Sequence, residues 1–448
     1  MDRSNREKFA DCYRIYNDDT PLLGQLLMMY HGCDLFDVDV RRLLEANRIR
    51  PIDFHDVRGT VITFSVLESA KNRRRWIVYP KEHNERYALT DSMRITLEPI
   101  EHTIISSLGS EVASTIDVDA CFQQYNIASS AQPFFCFCFG AQWFCCVTIP
   151  TGGRHPPSIA QLGTMALTNG VYGVAITCHI DNIRLCGLRS DVLRAEKQVL
   201  SNALFVGMQI TIERSAVMSY NFLGVSFLHI SAAEVQVHLA ARSATKLSEA
   251  VVSKTSTIRE VLSFFGRCVY GSGVYALNKY PYYWVYKFLR RRVGCPLDSQ
   301  ANIWSGALSD LSHWRRTIIN HSPRRVLPCS KLHTDAVLFT DASLSGWGAV
   351  AFTSSGVRIA AGHWHQNVRV EHINVLELRA LANAFDSFDF TEMVDVFVDN
   401  TTVLYSVMKT RSNNFLCNNI IGHLPLHRIK SIRYVKSVDN IADPFSRI

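Results

Sequence analysis

The sequence predicts a multidomain protein of mixed class, α+β in its first part and α/β in its last, and three observations carry that prediction. A chain of 448 residues exceeds what one hydrophobic core normally organises, so two or three cores are expected. Apolar residues make up 47% and charged residues 19%, which leaves little room for long disorder. The hydrophobic period also changes twice. Strand-rich, turn-punctuated sequence runs to about residue 230, helical sequence from about 240 to 325, and strands followed by alternating helices and strands after about 335.

Taken in order, LLGQLLMMY at 22–30 and VRRLLEANR at 40–48 predict helices, and TVITFSV at 60–66 a strand. The uncharged stretch 120–153 is long enough to cross a membrane. Gln123, Gln124, Asn126, Gln132, Pro133 and the Gly140-Ala141-Gln142 break interrupt it, and its aromatic residues predict a buried hairpin instead. VYGVAITC and IRLCG read as strands around His179-Ile180-Asp181-Asn182, and a helix follows at 191–205. Helices are expected at 244–252, 257–270 and 305–319, then a linker around Pro323 and Pro328. Beyond it lie strands at 336–343, 347–352 and 357–364, a helix at 374–385, a strand at 394–400, a helix at 401–409 and a strand at 432–437.

A formal charge of +7 permits a nucleic-acid partner without demanding one. The runs KNRRR at 71–75 and KFLRRR at 287–292 are more often solvated faces than binding sites. Thirteen cysteines behind a polar opening, MDRSNREKF, fit an intracellular, reducing compartment, whether cytoplasm or nucleus. Cys136, Cys138, Cys145 and Cys146 lack a C-x-x-C knuckle, so strand packing is expected of them rather than zinc.

Asp181 stands at the tip of a hairpin, where an acid is either a turn residue or a metal ligand. A second acid, Asp117, ends the run Ser114-Thr115-Ile116. Two strand-end acids are the minimum for holding a pair of divalent metals.

Residues 70 to 290 resemble the fingers and palm of a reverse transcriptase. Asp117, in DVDACFQQ, matches the family's first acid, and Phe122 its sugar-contacting aromatic. Pro150-Thr151-Gly152-Gly153 with Pro157 and Gln161 is similar to the segment beside template and nucleotide. Phe222-Leu223-Gly224 resembles the primer grip. Arg75 and Lys81 match basic residues that face the triphosphate. The resemblance implies a right-hand fold of fingers, palm and thumb, with two Mg²⁺ or Mn²⁺ ions at Asp117 and Asp181. The chain departs from the family at His179, where tyrosine is usual, and at Asn182, where a second aspartate is usual. Asp119, two residues along the strand from Asp117, is available to compensate.

Residues 335 to the end resemble a ribonuclease H domain with a mixed sheet. Asp341 in FTDASLSGWGAV, Glu377 in VLELRA, Asp399 in VFVDN and Asp443 in DNIADPFSR match its four acids, which implies two further metal ions. The forms DASLSGWGAV and VDN most resemble DIRS- and VIPER-like retrotransposons. No D-[ST]-G protease triplet and no recombinase region is visible.

The domains implied are an N-terminal helical extension at 1–70, fingers and palm at 71–235, thumb or connection at 236–330, and a ribonuclease H-like domain at 331–448. The function implied is RNA-directed DNA polymerisation with hybrid RNA cleavage. RNA template, DNA primer, RNA·DNA hybrid and deoxynucleoside triphosphates would be the partners, with no membrane. The alternative is an RNA-binding or scaffold protein whose palm is silenced by Asn182 and which retains at most the nuclease.

Overall fold

A computed structural model describes residues 2–16, 33–68, 73–87, 89–327, 336–365, 368 and 371–447. The helix expected at 22–30 lies outside them. The chain divides into two compact units, one of residues 1–222 with 227–233 and one of residues 223–226 with 234–448.

In the first unit the strands Ile62–Glu68 and Arg73–Tyr79 pair antiparallel, and the short strand Cys33–Asp34 runs parallel on the outer side of the first. The strands on the two sides of the 70/71 boundary pair with one another. The helix Asp37–Glu45 covers the 40–48 prediction, shifted by three residues at each end. Asp39 fixes it to the hairpin by accepting from the Arg74 guanidinium at 3.0 Å and the Ser65 hydroxyl at 2.9 Å. The uncharged stretch forms the hairpin Cys136–Phe139 and Gln142–Cys146, turning on Gly140 at φ +60°. Cys146 packs with Phe135, Phe137 and Phe144 in the core, Cys136 and Cys145 pack with Val57 and Trp143 in a smaller cluster, and no described helix is long and apolar enough to cross a membrane.

The centre of the unit is a four-stranded antiparallel sheet in the order Ile210–Val217, Val112–Val118, Asn182–Gly187, Ala175–His179. The helices Pro156–Leu167 and Arg189–Val206 pack on it. Arg184, in the strand Asn182–Gly187, is fully buried. It donates to Ser107 Oγ at 2.6 Å, Ser106 Oγ at 2.8 Å and Thr177 Oγ1 at 3.1 Å, and lies over the rings of Phe222 and Phe227. Among the described residues no carboxylate pairs with it. Hydroxyl dipoles and ring faces stand in for a counter-ion.

In the second unit the helices Ala241–Ser248, Ile258–Tyr275, Tyr283–Arg290 and Ser305–Ile319 gather around Trp314, which stacks on Tyr282 at 4.2 Å and donates to Ser272 Oγ at 2.6 Å. The stretch read as a linker contains a strand, Arg324–Val326, paired antiparallel with Glu234–Leu239. A five-stranded mixed sheet follows in the order Gly356–His363, Gly346–Thr353, Ala336–Ala342, Val394–Val398, Ile429–Tyr434. The first three strands are antiparallel and the last two join in parallel. The helix Ile373–Phe388 packs on this sheet, and Phe415–His423, which the periodicity did not indicate, packs on that helix. Gly422 lies where a Cβ would come within 2.8 Å of the Tyr280 ring, so a glycine there lets the helical part and the sheet part meet within this unit.

Candidate active sites

Six of the seven residues of the strand Val112–Val118 are buried, and Asp117 is the exception. In register it faces Asn182 on one neighbour and Thr211 on the other. The adjoining turn places Ile180 at φ +57°, a conformation that costs a β-branched residue on the order of 1–2 kcal/mol. The helix Pro156–Leu167 holds it there. Gln161 accepts from the Ile180 N–H at 2.6 Å and donates to the Cys178 carbonyl at 3.0 Å, while the Thr164 hydroxyl donates to the Ile180 carbonyl at 2.6 Å. The Val118 N–H then donates to the Asp181 carbonyl at 2.8 Å, which ties the two acidic segments together.

Asn182 donates from its amide to Asp181 Oδ1 at 2.6 Å. That bond occupies a lone pair a second carboxylate would have left free. The Cys121 thiol is pushed up to about 12 by burial and then by the charges of Asp181 and Asp117, so both acids act on one point. Asp119 accepts from the Thr211 hydroxyl with both oxygens, at 2.9 and 2.8 Å, which anchors it to the neighbouring strand.

Asp117, Asp181, Phe122 and Arg75 line a single cavity of about 780 Å³. Phe122 also packs on the core, so its two readings are compatible. Three expected nucleotide residues sit differently. Lys81 does not line the cavity but opens the helix Lys81–Arg86. Gln161 is buried, with both ends of its amide spent on the hairpin. Gly152 packs under the strand Arg73–Tyr79, where an added Cβ would stand 2.7 Å from the Val78 carbonyl oxygen. The residues resembling a primer grip form a tight turn, with Leu223 at φ +50° and Gly224 at φ +80° after the buried Phe222.

The second centre is denser. Ligand atoms of Asp341, Glu377 and Asp399 all lie within 4.8 Å of one another, the one such group of three or more among the described residues. The first ends a strand, the second sits on the helix Ile373–Phe388, and the third follows the strand Val394–Val398. Burial, with the charges of Asp399 and Asp443, pushes Asp341 up to about 6. Burial, with Asp341 and Asp399, pushes Glu377 up to about 9. Among the described residues Glu377 Oε2 has no hydrogen-bond partner. Three crowded carboxylates with an orphaned buried oxygen fit a divalent cation, which would neutralise them and fill the missing contact.

Asp443 departs from the expected convergence. Its carboxylate forks onto the Arg447 guanidinium at 2.7 and 2.9 Å, outside the triad, and acts on Asp341 through its charge. Two residues not singled out in the sequence hold the triad. The Ser446 hydroxyl donates to Asp341 Oδ2, and the Asn440 amide donates to the Thr340 carbonyl at 3.0 Å. Both lie in DNIADPFSR, where the acid alone drew notice. Gly348 lets this terminal segment approach, since a Cβ there would meet the Ala442 carbonyl oxygen and Phe445 at 2.7 Å.

No family model and no curated protein matches the sequence. Solved structures do. The foamy viral protease-reverse transcriptase dRH in complex with double-stranded DNA aligns over 98% of this chain and 80% of its own, at TM-score 0.56 and 13% identity. The foamy viral protease-reverse transcriptase with double-stranded DNA aligns over 98% and 94%, at TM-score 0.55 and 13% identity. The same enzyme with an RNA/DNA hybrid aligns over 99% and 62%, at TM-score 0.54 and 14% identity. The chain has a reverse transcriptase fold. At this identity the likeness is one of fold, and the two acidic centres rest on the geometry given above.

Proposed function

We propose that this chain is an RNA-directed DNA polymerase with ribonuclease H activity, its first unit carrying fingers and palm and the end of its second unit the nuclease. The observation that carries the reading is the buried triad Asp341, Glu377 and Asp399, within a chain that shares the reverse transcriptase fold. Mg²⁺ or Mn²⁺ bound there would supply charge neutralisation and an activated water. The protein's own part is positional. Ser446 and Asn440 fix Asp341 and the carbonyl before it, and the Ala342 backbone bonds to Glu377. In the first unit Asp117 and Asp181 would hold the corresponding ions, and Phe122 would contact the sugar of an incoming nucleotide in the cavity. Complexes of the similar enzyme with double-stranded DNA and with a hybrid support nucleic acid as the partner.

A second reading rests on one contact, the Asn182 amide on Asp181. It leaves the first centre a carboxylate short and favours a chain that cleaves hybrids without extending primers. Purified protein supplied with a primed RNA template, Mg²⁺ or Mn²⁺ and deoxynucleotides separates the two. Extension abolished by Asp117→Asn and by Asp181→Asn supports the polymerase. Hybrid cleavage sensitive to Asp341→Asn with no extension by the intact chain supports the nuclease alone, and neither activity would sink both. The DIRS or VIPER affinity rests on sequence pattern alone.

A further inference from the structure

The five-stranded sheet of the second unit ends on the strand Gly356–His363, whose outer side carries no strand among the described residues. Such an edge presents a row of N–H and C=O groups to any strand that meets it, and proteins usually blunt it with charge, a bulge or a cover. The opposite edge, Ile429–Tyr434, follows that rule, with Lys430 and Arg433 exposed on it. Gly356–His363 does not. It pairs with Gly346–Thr353 residue for residue without a register shift, so no bulge bends it. Its one permanent charge, Arg358, is turned inward, donating to the Phe388 carbonyl at 2.7 Å and lying over the Phe388 ring.

The pleat sorts the remaining side chains. Arg358, Ala360 and Gly362 face the helix Ile373–Phe388, where Ala360 packs on the core and Gly362 lies against Trp347. Val357, Ile359 and Ala361 face the other way, and Val357 and Ile359 are 60% and 55% exposed. By register Val357 lies beside Phe352, itself 43% exposed, so the open edge continues into an open apolar face.

An uncharged edge is best met by a strand that brings no charge against it, and the chain itself has one. Antiparallel pairing about a twofold axis through Ile359 sets Ile359 against its own copy, Val357 against Ala361 and Gly356 against Gly362. Arg358 then falls opposite Ala360 rather than opposite a second arginine. Apolar cross-strand pairs replace side chains standing in water, and no like charges meet. We propose that Gly356–His363 is a self-association edge, through which two copies of this chain join their sheets into one of ten strands, five from each. The contact uses the same surface on both copies, so it closes at a dimer, and the charged opposite edge does not extend it. It is independent of the polymerase reading.

The test is sedimentation equilibrium of the full-length protein over about a hundredfold range of concentration. Wild type is expected to reach a dimer and go no further. Ile359→Lys sets two cations against each other at the axis and should raise the dissociation constant at least about tenfold, with circular dichroism unchanged. Arg433→Ala, on the opposite edge, should leave it as it was. In a second measurement, Ile359→Cys treated with glutathione disulfide should give a disulfide-linked dimer well above the wild-type background, which the exposed Cys295 sets. A dimer that Ile359→Lys leaves intact overturns the proposal, as does an Ile359→Cys cross-link no greater than background. A wild type that stays monomeric throughout overturns it too, and would leave the edge to a foreign strand.

Discussion

Replacing Glu377 by glutamine should make the metal-free protein more stable in weak alkali while abolishing hybrid cleavage. Burial and two neighbouring carboxylates push Glu377 up to about 9, from 4.5. An acid raised in the folded state contributes its stability at low pH and loses it as pH climbs from the unfolded value to the folded one, at about 1.4 kcal/mol per pH unit. Asp341, raised to about 6, has completed its own loss below that window's upper half. Between roughly pH 6.5 and 8 the chelated wild type should therefore lose about 2 kcal/mol through Glu377 alone. The residue is 6% exposed, so solvent screening removes little of this. Glutamine keeps the shape and the acceptor for the backbone bond from Ala342 but has no proton to lose. Urea unfolding of both proteins in EDTA at the two pH values measures the difference, and Mg²⁺ should then stabilise the wild type more than the variant. Equal pH slopes for wild type and Glu377→Gln would refute the argument that crowded charge dominates this centre.

His83, stacked on Phe135 at 4.3 Å, is pushed down to about 4 by burial. Its protonation opposes folding, so melting temperature should fall as pH drops from about 6.5 to about 4, by up to about 3 kcal/mol of stability, and His83→Leu should flatten that slope. Gly348→Ala should push the terminal segment off Asp341 and cut hybrid cleavage at least about tenfold while leaving the circular dichroism near that of the wild type, at an overpacking cost of about 1–3 kcal/mol. A wild-type cleavage rate would show that the segment's position does not matter. Asn182→Asp removes the donor on Asp181 and restores a charge, so Mn²⁺ affinity and primer extension should both rise. Unchanged extension would clear Asn182 of limiting the palm.

Elements with a regular hydrophobic period and clear flanking turns were legible in the sequence. The helix Ser305–Ile319 has the limits its periodicity gave, and the strands Ala336–Ala342 and Gly356–His363 fall within a residue of expectation. The helix Pro156–Leu167 was not legible because nine of its twelve residues are buried, which erases the polar stripe that marks a surface helix. The helix Phe415–His423 was hidden by Asn418 and Asn419, which read as loop residues, although Asn418 spends its side chain on the Tyr280 and Ser412 backbones. Acid positions could be read because chemistry limits the residue types there. Their holders could not: serine and asparagine occur everywhere, and only distances single out Ser446 and Asn440, while Gln161, named by resemblance for the nucleotide, is placed on the hairpin by its distances. Asp443 was legible as a residue and not as a geometry, since the competing partner Arg447 lies one helical turn away.

Arg184 sets a buried positive charge close to the first centre. Side chains two apart on a strand share a face, which sets Arg184 about 7 Å along from Asn182 and, by register, on the side of Asp117. On the polymerase reading, a bare dication approaching the carboxylates meets the repulsion of that field, whereas one already chelated by phosphates does not. Metal and nucleotide should therefore arrive together, and the order of assembly would be written into the sheet beneath the site.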